Sequence, residues 1–332
     1  MLWLRVPEKL YFKKGCMPVA LNELKTVYNK KKAFIVTDTG LYRNGRIASI
    51  EKLLDDMNVQ HTSFFAVSVP ASPDNVKDGV KAAALFEPDV IIAVGGSNVI
   101  NCAKLIRVLY EVPDADIAQL AADFCDIRKR EALFPRTNVK ASLVTVPTNS
   151  GTGEEVSPYA SVDDGKNCCF LADYEIMPEF VVVDSDYMIA QTREEIALSA
   201  AAALVHLVSA YNSEYASEYT DGFVIKAMEN IIRYLPSYLE NGSADPIGCE
   251  KLAEASAMSG LAYANTNSTK YGPESAAEIA GMVRKMTDED SDAFVRYRDL
   301  AMSLRIKGSN DKETITLLIE KIKTLTVLCG LE

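Results

Sequence analysis

Segments rich in β-branched and aromatic residues alternate along the first half of the chain with segments whose apolar positions recur every three or four residues. Strand-length segments fall at 32–38, 59–67, 89–94 and 141–146; the last two are nearly continuous apolar runs, as strands buried on both faces require. Between them, Ala20, Leu21, Leu24 and Val27 mark one helical face. Ile47, Ile50, Leu53 and Leu54 mark a second within a helix expected over 41–57, and Val76, Val80 and Leu85 mark a third. Strands alternating with helices predict a parallel, doubly wound sheet. Residues 2–12 read as a strand or hairpin arm, with Pro7 tolerated at an edge. Residues 111–136 read as a charged helix with Ile117, Leu120, Ala121 and Phe124 as its buried stripe. Short strands are expected at 156–162, 167–171 and 179–183. Beyond Asp186 the period changes to long helices, over 193–213, 221–239, 246–264, 292–304 and 312–328, with a break at Gly272 and Pro273. The pattern predicts an α/β domain over 1–187 and an all-α domain over 188–332.

Three places carry candidate chemistry. Gly95 and Gly96 turn the chain from the strand at 89–94 into a helix marked by Val99, Ile100 and Ala103, with Asn98 as its expected cap. Strand, glycine turn and helix aim free N–H groups at a phosphate, although many such turns carry glycines for geometry alone. Asp38 ends the second strand. It reads either as an acceptor for ribose hydroxyls or as the N-cap of a helix starting at Thr39. After the strand at 141–146, the run from Pro147 to Gly153 offers Thr148, Asn149, Ser150 and Thr152. Hydroxyls and an amide suit a pyrophosphate or ribose; they equally suit a capped loop with Glu154 and Glu155 in a first turn.

Composition narrows the function classes. The chain has 332 residues and a formal net charge of −11, which argues against nucleic acid or an anionic membrane as partner. The apolar stretch around 200–210 is interrupted by His206 and Ser209, and a membrane span needs about 20 apolar residues. The N-terminus shows no apolar signal region. Seven cysteines include no C-x-x-C pair, which points to a reducing, cytoplasmic setting. Cys168 and Cys169 read as packing thiols, and His61 as a surface residue on a strand.

The run from Gly95 to Lys104 resembles, in degraded form, the GGGSxxDxxK motif of iron-containing alcohol dehydrogenases. Gly95, Gly96 and Lys104 match; Ser97, Asn98 and Asn101 depart from it. The segments RVPEKLYF from Arg5, AFIVTD from Ala33, DIRKR from Asp126, SGTG from Ser150 and LADY from Leu171 resemble the alcohol dehydrogenase half of bifunctional aldehyde–alcohol dehydrogenases. They occur in the same order over most of the chain. The resemblance implies a Rossmann-like domain followed by a helical one, the dehydroquinate synthase-like architecture, and NAD(H)-dependent interconversion of alcohols and aldehydes. It implies cofactor contacts at Asp38, Gly95, Gly96, Ser97, Asn98, Thr148, Asn149 and Thr152, and it favours the ribose reading of Asp38. A cofactor-holding lysine of the family falls at Cys168, with Lys166 two residues earlier on the same strand face.

The resemblance also implies a divalent metal held by one aspartate and three histidines, the aspartate and first histidine four apart on one helix. His206 matches that histidine, but Ala202 stands at the aspartate position, and the chain has only two histidines. Residues 265–275 stand where the resemblance places the other two, with Pro273 and Glu274 of that segment falling near the family's Pro-His pair. One imidazole falls short of the three or more protein ligands that a catalytic metal keeps. The expectation is therefore a family member without iron or zinc, binding NAD(H) more weakly and impaired in catalysis. It would act by binding or assembly, as a homodimer or with a related dehydrogenase, through its N-terminal strand. Two alternatives stand beside it. One is an active NAD(H)-dependent enzyme with a remodelled metal site of His206, Glu274 and either Glu214 or Asp221. The other is a nucleotide sensor without chemistry.

Overall fold

The computed structural model describes residues 3–124, 126–127, 133–150, 153–163, 168–188, 191–266 and 292–330. Its centre is a six-stranded sheet in the order β1-β8-β5-β4-β2-β3. The strands are β1 (Lys9–Phe12), β2 (Lys32–Asp38), β3 (Gln60–Val67), β4 (Val90–Gly95), β5 (Ser142–Pro147) and β8 (Phe180–Val183), and every pairing is parallel. Side chains alternate across β4. Ile91 and Ala93 face α4 (Pro73–Phe86) and α5 (Ser97–Glu111) in one core. Val90, Ile92 and Val94 face α1 (Met17–Thr26) and α3 (Ala48–Asp56) in the other. Both faces are covered, which is why β4 and β5 are buried at every residue. An antiparallel pair, β6 (Tyr159–Asp163) and β7 (Cys168–Ala172), stands apart from this sheet.

A third core is helical. It joins α7 (Arg193–Asn212), α8 (Glu218–Asn241), α9 (Pro246–Thr266) and the last two helices, Asp292–Ser303 and Asp311–Leu328. Thr192 with Glu195 and Ser217 with Thr220 form capping boxes that start α7 and α8. By length and composition α7 suffices to cross a membrane, contrary to the shorter stretch read from the sequence. However, 78% of its apolar window is buried inside the protein, as expected of a core helix.

Several expectations are corrected. The helix over 41–57 is two, α2 (Thr39–Arg43) and α3, because the chain turns at Gly45 with φ +77, a conformation glycine adopts freely. Among the described residues of 111–136, the expected long helix is only α6 (Ile117–Asp123); α5 has already ended at Glu111, and Pro113 and Pro135 oppose a continuous helix. Among the described residues of the expected strand, 3–12, only β1 is strand, and it completes this chain's own sheet beside β8. The expected strand at 156–162 starts only at Tyr159, after a 3-10 turn, Glu154–Val156.

Candidate functional site

The chain moves outward from β2 to β3, then returns to place β4 on the other side of β2. In an open parallel sheet such a reversal leaves a crevice at the carboxyl ends of the strands. A cleft of about 380 Å³ lies there. Asp38 from the end of β2, Gly96, Ser97 and Asn98 after β4, and Thr148 and Asn149 after β5 all line it. Six of the predicted cofactor residues are thus brought together. Gly95 is not among the lining residues: it ends β4 fully buried, where a Cβ would stand 2.6 Å from Val99 Cβ. Thr152 lies outside the described residues.

The start of α5 is suited to an anion. Its N-cap is Gly96, not Asn98, and no side chain caps it. Asn98 instead accepts a hydrogen bond from Ala71 N through Oδ1 at 3.0 Å. A helix of this length leaves its first N–H groups without intrahelical partners, and its dipole favours negative charge there. Asp38 fulfils the capping reading: Oδ1 accepts from Leu41 N at 2.9 Å and starts α2. Its carboxylate also lines the cleft, so the two readings are compatible.

Sequence reasoning missed the far wall. Arg46, Tyr187, Gln191 and Glu195 complete the cleft. Arg46 donates to the carbonyls of Asp186 and Tyr187 at 3.3 Å, and the Tyr187 hydroxyl meets Ser49 Oγ at 3.0 Å. Both amide atoms of Gln191 are buried without a hydrogen-bond partner among the described residues. No motif marks these positions; the turn that follows Gly45 places Arg46 there, and the path of the chain after β8 places Tyr187, Gln191 and Glu195.

Behind the cleft, α5 carries two fully buried cations. Lys104 Nζ donates to the carbonyls of Glu154 (2.8 Å), Ser157 (2.8 Å) and Tyr159 (2.6 Å). Burial pulls Lys104 down to about 7, against the upward pull of Glu154 and Glu155. Burial likewise pushes Glu155 up to about 7. Arg107 Nη1 donates to both carboxylate oxygens of Glu179, at 2.7 and 2.8 Å. Asn101, at the motif's aspartate position, lines no part of the cleft; its Nδ2 donates to Ser161 Oγ at 3.3 Å. Cys168 pairs with Asp163 across β6 and β7, while Lys166 lies outside the described residues.

The metal region reads differently from the cleft. His206 is 2% exposed in the middle of α7. Its ring lies 4.4 Å from that of Tyr263, tilted by 41°. Burial pulls it down to about 3. Of the alternative ligands, Asp221 is bound by Arg296 at 3.0 and 3.1 Å. Glu214 is exposed just after α7, and Glu274 lies outside the described residues. Among the described residues no three His, Cys, Asp or Glu side chains converge. The described residues alone therefore fall short of the three or more protein ligands that a catalytic metal keeps. His61 is partly covered on β3 and meets Asp55 Oδ1 at 3.0 Å.

Comparison with known proteins gives the family and the fold. Residues 7–185 match the family described as iron-containing alcohol dehydrogenase, and residues 196–271 match its C-terminal region. The aldehyde-alcohol dehydrogenase of Clostridium acetobutylicum is 36% identical over 354 residues, covering 98% of this chain and 41% of that protein. The bifunctional aldehyde-alcohol dehydrogenase of Escherichia coli is 38% identical over 267 residues, covering 80% of this chain and 30% of that protein. The chain thus spans less than half the length of these relatives. Among solved structures, the iron-containing alcohol dehydrogenase of Thermococcus thioreducens superposes with a TM-score of 0.82 at 22% identity, covering 100% of this chain and 86% of that one. A sulfoacetaldehyde reductase from Bifidobacterium kashiwanohense, solved in complex with NAD+, superposes with a TM-score of 0.82 at 16% identity, covering 100% of this chain and 87% of that one. These two likenesses establish the fold. The chain belongs to the iron-containing alcohol dehydrogenase family and is close to the alcohol dehydrogenase half of the aldehyde–alcohol dehydrogenases.

Proposed function

We propose that this chain is a metal-free, catalytically impaired member of its family that binds NAD(H) and acts through binding or assembly. The observation that carries the reading is a contrast between two places. The nucleotide cleft keeps Asp38 and an uncapped α5 terminus. His206, by contrast, is packed against Tyr263, and among the described residues no three His, Cys, Asp or Glu side chains converge. In the cleft, Asp38 would accept hydrogen bonds from ribose hydroxyls, the first turn of α5 would meet the pyrophosphate, and Thr148 would donate its hydroxyl. In the family a metal polarises the alcohol or aldehyde oxygen. The residues described here offer nothing to hold one, so no chemical step is assigned. The test is NADH binding by calorimetry alongside aldehyde-dependent NADH oxidation after purification with iron or zinc. Saturable binding without turnover supports the reading. Turnover with one metal per chain overturns it in favour of the remodelled-site alternative.

The assembly role draws support from the N-terminal arm. Asn265 on α9 holds both backbone groups of Arg5: Arg5 N donates to Oδ1 at 2.7 Å, and Nδ2 donates to Arg5 O at 2.9 Å. Trp3, Leu4 and Val6 remain exposed. An extended, apolar arm whose edge is fixed on one side suits pairing with a second copy or a related subunit. Light scattering of the wild type and of a Leu4→Lys, Val6→Lys variant tests this: a dimer should become a monomer. A wild-type monomer would exclude the homodimer.

A further inference from the structure

Lys104 matches the family motif, yet it lies in no wall of the cleft. Its ammonium is fully buried, and three backbone carbonyls accept from it at 2.6–2.8 Å. An ammonium has three N–H donors, so this cage uses all of them. The carbonyls belong to Glu154, Ser157 and Tyr159, the strap that leaves the cleft wall and leads into β6. The strap is gripped elsewhere too. Thr145 on β5 donates to Glu155 O at 2.8 Å, and Ser256 on α9 approaches Glu155 Oε1 at 3.4 Å. Gly260 on α9 lies so close that a Cβ there would stand 2.5 Å from Gly153 O and 2.8 Å from Val156 Cγ2.

The strap matters to the cleft because the two walls touch. A Cβ on Gly96 would come within 2.9 Å of Asn149 Nδ2. Thr148 N donates to Gly95 O at 3.2 Å. Lys104 sits two turns along the same helix whose N-terminus forms one wall. It therefore ties that helix to the chain that continues from the other wall. Arg107, one turn further on, is also fully buried, but it bonds to Glu179 and to the carbonyls of Glu175 and Met177, away from the strap.

We propose that Lys104 is a positioning residue for nucleotide binding, a buried cation in a carbonyl cage that fixes the spacing of the two cleft walls. The inference rests on the nucleotide reading of the cleft. Arg107, equally buried on the same helix, has only a stabilising role.

The experiment measures NADH affinity by calorimetry and Tm by calorimetric scanning on the whole chain. The variants are Lys104→Met, Gly260→Ala and Arg107→Lys. Lys104→Met removes the cage's cation; Gly260→Ala pushes the strap from the opposite side without touching Lys104 or the cleft. Both should weaken NADH binding by about tenfold or more, which corresponds to about 1.4 kcal/mol. Arg107→Lys should lower Tm and leave NADH affinity within about twofold, since a Kd change of that size is well under 1 kcal/mol. If Lys104→Met does not fold, Gly260→Ala against Arg107→Lys decides. Unchanged affinity in the strap variants, or an equal loss in Arg107→Lys, overturns the proposal while the nucleotide reading stands. A wild type that binds no NADH at millimolar concentration overturns both.

Discussion

Acid should destabilise this protein through His206, and the effect can be isolated. The ring is buried, and burial pulls its folded-state pKa down to about 3. In the unfolded chain a histidine titrates near 6.5. As pH falls below that value the unfolded state takes up a proton that the native state refuses. Stability is therefore fully present above about 6.5 and is lost as pH falls toward 3, at up to about 1.4 kcal/mol per pH unit. Between pH 7.5 and pH 5 the loss should be about 2 kcal/mol. Other groups also titrate in this range; Glu155, pushed up to about 7, acts in the opposite sense. The informative quantity is thus the difference between wild type and His206→Leu, from urea denaturation at both pH values. The gap should move in the variant's favour by about 2 kcal/mol on acidification. A gap independent of pH refutes the reasoning. A bound metal would also keep the proton off His206, but EDTA would then change the wild-type curve; the account predicts that it does not.

Three further outcomes follow from the same structure. Asp38→Asn keeps an oxygen for Leu41 N, so it should preserve Tm while weakening NADH, whereas Asp38→Ala should also cost about 1 kcal/mol for the lost cap. Binding titrations and thermal melts of the two variants separate these roles. Gln191→Leu should stabilise the ligand-free protein by about 1 kcal/mol, because it removes a buried amide with no partner among the described residues; thermal denaturation reads the sign. Arg107→Met should destabilise by about 3–5 kcal/mol, because it strands the Glu179 carboxylate beneath α5, measured by guanidinium unfolding.

The sheet was legible because β4 and β5 are apolar enough to be buried on both faces, a pattern that few other elements produce. The near wall of the cleft was legible for a related reason. Asp38 ends a strand, Gly96 and Thr148 each directly follow one, and strand ends are where an open parallel sheet binds. Helix limits were less legible. The stripe through Ile117, Leu120 and Phe124 outweighed Pro113 and Pro135 in the reading, and at Gly45 the face through Ile47 and Ile50 hid a left-handed turn. Asn98 looked like a cap by residue type, yet tertiary geometry gave its amide to Ala71. Arg46, Tyr187 and Gln191 come to the cleft by the return of the chain, which no local pattern encodes. The cage around Lys104 is made of backbone carbonyls, and these have no signature in side-chain identity.

The central claim is that a nucleotide cleft persists beside a histidine that holds no metal. A crystal grown with NADH and excess iron or zinc, with anomalous data collected at the metal edge, tests it most directly. The account predicts nucleotide density along Asp38 and the start of α5, and no anomalous peak at His206. A fully occupied metal bound by His206 and two further protein donors would contradict it.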